Sequence, residues 1–151
     1  MTYVSLTAAE ISGLLYQFES CTLPKAAWTH EAHLIVAVVY NLRYGKAMAL
    51  EMARLCITRY NEAVGTPNTD ESGYHETITC FWIWMADAFL QAQESTSMEK
   101  YCSTFIRSRY TNKNFPLQFY SHALLFSVAA RKRFVAPDLA PLSMTDITTT
   151  T

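Results

Sequence analysis

Residues 1–142 are predicted to form one all-α domain, a single bundle of five to six helices, followed by a flexible C-terminal tail over 143–151. Three observations carry that expectation. Apolar residues recur three and four apart along most of the chain. Residues that cap helices stand just ahead of several of these runs, and Gly45, Gly65 and Pro67 fall between runs.

Thr7, Ala8, Ala9 and Glu10 match a capping box, and Ile11, Leu14, Leu15 and Phe18 follow at helical spacing until Leu23 and Pro24 end the first helix. Thr29 is a good N-cap for a second helix at 30–44, with Leu34, Ala37, Val38 and Leu42 along one side. A third runs through Met48, Met52, Leu55, Cys56 and Tyr60 and stops at Gly65 and Pro67. The very short connection at Gly45 makes the second and third helices antiparallel neighbours.

Residues 66–73 (TPNTDESG) read as a loop, and a fourth helix follows from Tyr74 to Gln93. Between Ile78 and Leu90 its only charge is Asp87, which predicts the most buried helix, with Trp82 and Trp84 in the core and Asp87 paired to an arginine. The apolar run falls short of the roughly 18 residues of a membrane span. Ser97 to Tyr110 gives a fifth helix, and Ser121 to Phe134 a short sixth.

Half of the 151 residues are hydrophobic and only 17% are charged, so the interior is generous and the solvated surface thin. That favours a tight core or a self-association face, the second of which would make a homo-oligomer. A formal charge of −1 without a basic run argues against nucleic-acid and membrane partners. The start MTYVSLTAAE lacks the pattern of a signal peptide, and Cys21, Cys56, Cys80 and Cys102 form no CxxC pair. Reduced thiols and a cytoplasmic location are the expectation.

The chemistry-bearing residues cluster by topology. His30 and His33 lie three apart, which on a helix puts their side chains on one face at roughly 5–6 Å. If the second, third and fourth helices run up, down and up, His30, His33 and His75 reach one end of the bundle together with Tyr74, Glu76, Asn61 and Asn68. Neither His30-Glu31-Ala32-His33 nor His75-Glu76 followed by Thr79 completes the zincin pattern H-E-x-x-H. Two helix starts aimed at that mouth keep imidazoles neutral and suit an anionic ligand wherever the first-turn N–H groups are uncapped.

Three readings stand side by side. His30, His33 and His75 hold a divalent metal; or they form a metal-free ligand or acid–base pocket; or all three are structural. In the first two, His75, Glu76 and Tyr74 are the candidate catalytic groups, Glu76 as orienter or general base and Tyr74 as proton donor or substrate contact. His30, His33, Asn61 and Asn68 are the candidate ligand contacts, and no nucleotide cofactor is indicated. His122 is a further residue able to approach from the C-terminal segment. The competing class is a non-enzymatic, homodimeric or structural protein with the histidines as core struts.

The strings Trp28 to Leu34 (WTHEAHL), Gly73 to Thr79 (GYHETIT) and Ala130 to Leu142 (ARKRFVAPDLAPL) resemble an uncharacterised family of small bacterial all-helical proteins with W-T-H and Y-H-E-T motifs. The resemblance spans most of the chain and implies importance for Thr29, His30, Tyr74, His75, Glu76 and Thr77, but no reaction. A looser, fold-level analogy is to the DinB-type bundles, in which three histidines from different helices hold a divalent ion.

Overall fold

Thr7 opens the chain's first helix as the sequence requires. Its hydroxyl accepts from the Glu10 amide while the Glu10 carboxylate accepts from the Thr7 amide. The computed structural model describes residues 6–94 and 97–142, so the expected tail at 143–151 lies outside the described residues. Within them the chain is all-α, with seven helices: α1 (Ala8–Glu19), α2 (His30–Tyr44), α3 (Lys46–Ala63), α4 (Glu76–Ala92), α5 (Met98–Ile106), α6 (His122–Leu125) and α7 (Val128–Lys132). Short 3-10 turns occupy Lys25–Ala27, Arg109–Thr111 and Phe115–Gln118.

Thr29 caps α2 through a bond from the Ala32 amide, and Gly45, at φ +80°, turns the chain directly into α3. The predicted fifth helix ends early, at Ile106. Thr111 folds back there, donating its hydroxyl to the Ser108 and Ile106 carbonyls and holding a 3-10 turn. The predicted sixth segment is two short helices, because Ser127 caps a new start by accepting from the Ala130 amide.

The centre of the bundle differs from the expectation. α4 is buried along most of its length, but α2 is the hub, with an unbroken buried run from Leu34 to Asn41 and packing against α1, α3, α4 and α5. Periodicity pointed to α4 because its bulky rings dominate the apolar pattern; the smaller Val and Ala side chains of α2 let four neighbours approach. Asp87 is half-buried and has no ion-pair partner among the described residues, so the predicted arginine pair is not formed. No helix among the described residues is long and apolar enough to cross a membrane.

All four cysteines are free thiols; Cys56, Cys80 and Cys102 are buried and Cys21 is half-buried. Burial pushes the Cys80 and Cys102 thiols up to about 12, so neither offers a thiolate near neutrality. Native alkylation followed by intact mass should therefore label Cys21 first, and all four thiols after unfolding without reductant. Fewer than four in the unfolded protein would reveal a bridge.

Candidate functional site

The up-down-up course of α2, α3 and α4 brings the start of α2, the last turns of α3 and the start of α4 around one cleft of about 400 Å3. Trp28 comes from the approach to α2 and His33 from α2 itself, Ile57 and Asn61 from α3 and Val64 from just past its end, and Tyr74, His75, Ile78 and Thr79 from α4 and its approach; Lys25 and Thr66 complete the lining. Below it, sharing the walls of Trp28, His33, Ile57, Ile78 and Thr79, lies a small apolar throat of about 50 Å3 closed by Trp82, Ile83 and Ala53.

His33 is the group in this cleft with an open ring nitrogen. Its Nδ1–H donates to the Thr29 carbonyl at 2.7 Å, which fixes the tautomer and leaves Nε2 as a lone-pair acceptor without a partner among the described residues. The ring stacks on Trp28 at 3.7 Å, and Trp28 stacks in turn on Phe18 at 4.4 Å. Trp28 immediately precedes the Thr29 cap and His33 is the fourth helical residue, the positions of a hydrophobic staple, so the stack follows from local sequence. Burial outweighs the Thr29 bond and pushes the imidazole down to about 4, keeping it neutral.

His75 faces the same cleft but has no free nitrogen. It precedes α4 instead of beginning it, and its Nδ1 caps the helix by accepting from the Ile78 amide at 3.1 Å. Its Nε2–H donates to the Leu125 carbonyl at 2.7 Å. Around it the C-terminal segment clamps the start of α4: Arg131 donates to the Gly73 carbonyl, and Thr77 bonds both the Arg133 carbonyl and the Val135 amide. A ring fastened on both sides positions the helix and cannot also accept a metal or a substrate proton.

His30 points elsewhere. Its Nε2–H donates to the Thr111 carbonyl at 2.6 Å, its ring meets the edge of Trp82, and it lines a separate surface groove with Arg109 and Lys113. The expected set of His30, His33 and His75 is thus divided between two faces. Among the described residues no group of three or more His, Cys, Asp or Glu side chains could hold a metal ion. The donor set does not fit the divalent-metal reading, because backbone carbonyls hold the Nε2–H groups of His30 and His75.

Glu76 and Tyr74 are similarly committed. Arg54 forks onto the Glu76 carboxylate, Nε to Oε1 at 3.0 Å and Nη2 to Oε2 at 2.6 Å, and the Tyr74 hydroxyl donates to Oε1 at 2.6 Å. Burial alone would raise the Glu76 carboxyl, but Arg54 and Tyr74 outweigh it and hold it below the usual value. Burial and the Glu76 bond keep the Tyr74 phenol protonated. Glu76 is consequently an orienter and not a general base, and the Tyr74 proton is already given to it.

Asn68 ties the loop. Its Oδ1 accepts from the Tyr74 amide and from Asn61 Nδ2, and its Nδ2 donates to the Thr58 carbonyl. Gly73 has φ +81°, and a Cβ there would fall 2.6 Å from Asn68 Oδ1, which is why the sharp approach to α4 takes glycine. Asn61 lines the cleft while Asn68 acts behind it, and His122 is exposed and lies tilted against Phe126 outside the site. Sequence reasoning missed Arg54, Arg131 and Lys25; nothing in linear spacing ties Arg54 to Glu76. In comparison with known proteins the chain matches no family model, no curated protein and no solved structure.

Proposed function

We propose that the protein binds a small organic molecule in the cleft between α2, α3 and α4, with His33 as the central polar contact and the throat behind it taking an apolar end. The observation that carries this reading is the open His33 Nε2, held by a fixed tautomer and a three-ring stack at the mouth of a cleft of about 400 Å3. That volume is in the range of small-molecule sites, roughly 300–1,000 Å3. The chemistry favours binding over acid–base turnover: Glu76 and Tyr74 are tied to each other, and His33 is too weak a base to take a proton readily near neutrality. Four free thiols support a reducing, cytoplasmic setting.

A fragment screen read by thermal shift and amide NMR tests the reading. Hits should move the Tyr74, Ile78 and Asn61 amides in the intact protein, and His33→Phe, which keeps an aromatic ring on Trp28 but removes the acceptor, should weaken them about tenfold, the worth of one good hydrogen bond of about 1.4 kcal/mol. Hits that bind His33→Phe equally well, or that move only distant amides, contradict it.

A second reading, self-association, is favoured by the stripe of Met48, half-buried Met52 and Leu55 on α3, where Met48 is 51% and Leu55 55% exposed. Sedimentation equilibrium decides it: a dimer that Leu55→Glu dissociates supports it, and a wild-type monomer at high concentration rejects it.

A further inference from the structure

Resting on the reading of this cleft as a ligand site, we infer that its ligand is a neutral aromatic or heteroaromatic molecule that presents two N–H donors, and not an anion or an ammonium. The inference follows from the polarity of the groups left open. The Tyr74 amide is an obligatory donor, so the atom of Asn68 facing it at 2.9 Å is the carbonyl oxygen. Asn68 Nδ2 on the Thr58 carbonyl at 3.0 Å agrees with that orientation. The Asn61 atom that meets Asn68 Oδ1 at 3.0 Å must then be its amide nitrogen, which turns Asn61 Oδ1 outward as an acceptor. Asn61 is 8% exposed and lines the cleft, and among the described residues its Oδ1 has no partner.

The second open acceptor is His33 Nε2, whose polarity is set the same way by the Nδ1–H bond to Thr29. Two acceptors with fixed orientation leave two unmade hydrogen bonds that only a donor can complete, and a ligand offering acceptors would place lone pairs against lone pairs. An anion would set its lone pairs against both open acceptors, and the Thr29 hydroxyl and His75 Nδ1 already occupy one first-turn N–H of each helix start, which leaves the Lys25 ammonium as the one cation among the lining residues. No Asp or Glu is among the residues lining the cleft and Lys25 is, so a cationic amine would meet a like charge and no counter-charge. Trp28, Ile57 and Ile78 supply the apolar walls that suit a ring.

Four one-ring probes of similar size separate the classes: phenylurea, methyl benzoate, benzoate and benzylammonium, each titrated into the full chain and followed by amide and histidine 15N shifts. Phenylurea should saturate at the Tyr74 and Ile78 amides and shift His33 Nε2, with the other three at least tenfold weaker, about 1.4 kcal/mol. That preference should vanish in His33→Phe and, independently, in Asn61→Leu, each checked for native helicity. If the ester, the carboxylate or the ammonium binds at the cleft as tightly as phenylurea, the donor class is overturned while the cleft remains a ligand site. If none of the four saturates there, both the class and the site reading fail.

Discussion

Trp82→Ala should lower the free energy of unfolding by about 3–5 kcal/mol, the range for removing an enclosed indole, whereas Trp84→Ala should cost clearly less. Both stand on α4, and sequence periodicity treats them alike. In the fold Trp82 is only 7% exposed, closes the apolar throat and meets the His30 ring at 5.0 Å, so its removal leaves a cavity walled by α2 and α4 that small neighbours such as Ala37 cannot fill. Trp84 is half-buried and lies against Phe134 at 5.0 Å, where the surface can relax and water can enter. Urea unfolding with m-values compared across the three proteins measures the difference. Equal costs, or near-neutral changes at both positions, would contradict this placement of the two rings.

Acidification should remove about 1–2 kcal/mol of stability through His33, less than its full shift is worth because the ring is half-buried and open to the cleft. The group's pKa falls from 6.5 to about 4 on folding because burial outweighs its bond to Thr29, and each unit is worth about 1.4 kcal/mol. The unfolded chain takes up a proton near 6.5 while the folded chain resists until about 4, so protonation favours unfolding. This stability is whole above 6.5 and is lost progressively as pH falls toward 4. Burial also lowers His30 and His75, so both contribute with the same sign. The stability from Glu76, held low by Arg54 and Tyr74, is whole above its ordinary value of 4.5 and is lost as pH falls from there through its own depressed value. Denaturant midpoints across this window should drop in the wild type and drop less in His33→Phe; a flat wild-type profile would contradict the buried, neutral imidazole.

The helices were legible where local rules act alone. The Thr7–Glu10 box, the Thr29 cap and the Gly45 turn depend on residues within one helical turn, and they stand where the sequence puts them. Topology was legible as well, since the one-residue connection at Gly45 forces α2 and α3 antiparallel and the loop after α3 returns the chain beside them, which brings His33, Asn61, Tyr74 and His75 to one end. What sequence could not show is where each polar group spends its hydrogen bonds. The partners of His75, His30 and Glu76 are Leu125, Thr111 and Arg54, separated from them by 50, 81 and 22 positions. These non-local bonds convert two expected ligands and an expected base into supports. His75 at the cap of α4 therefore supports the fold itself: His75→Ala leaves the Ile78 amide and the Leu125 carbonyl unpaired in a buried setting.

His33 presents a bare Nε2 to the cleft, while His75 and His30 spend theirs on backbone carbonyls. Side-chain 15N NMR of the histidines at neutral pH tests this directly, because the two neutral tautomers have distinct nitrogen shifts. The structure predicts an Nδ1–H tautomer for His33 that persists on titration to about pH 4, and Nε2–H tautomers for His75 and His30. An Nε2–H tautomer at His33, or its ordinary titration near 6.5, would show that this ring is not the open acceptor of the site.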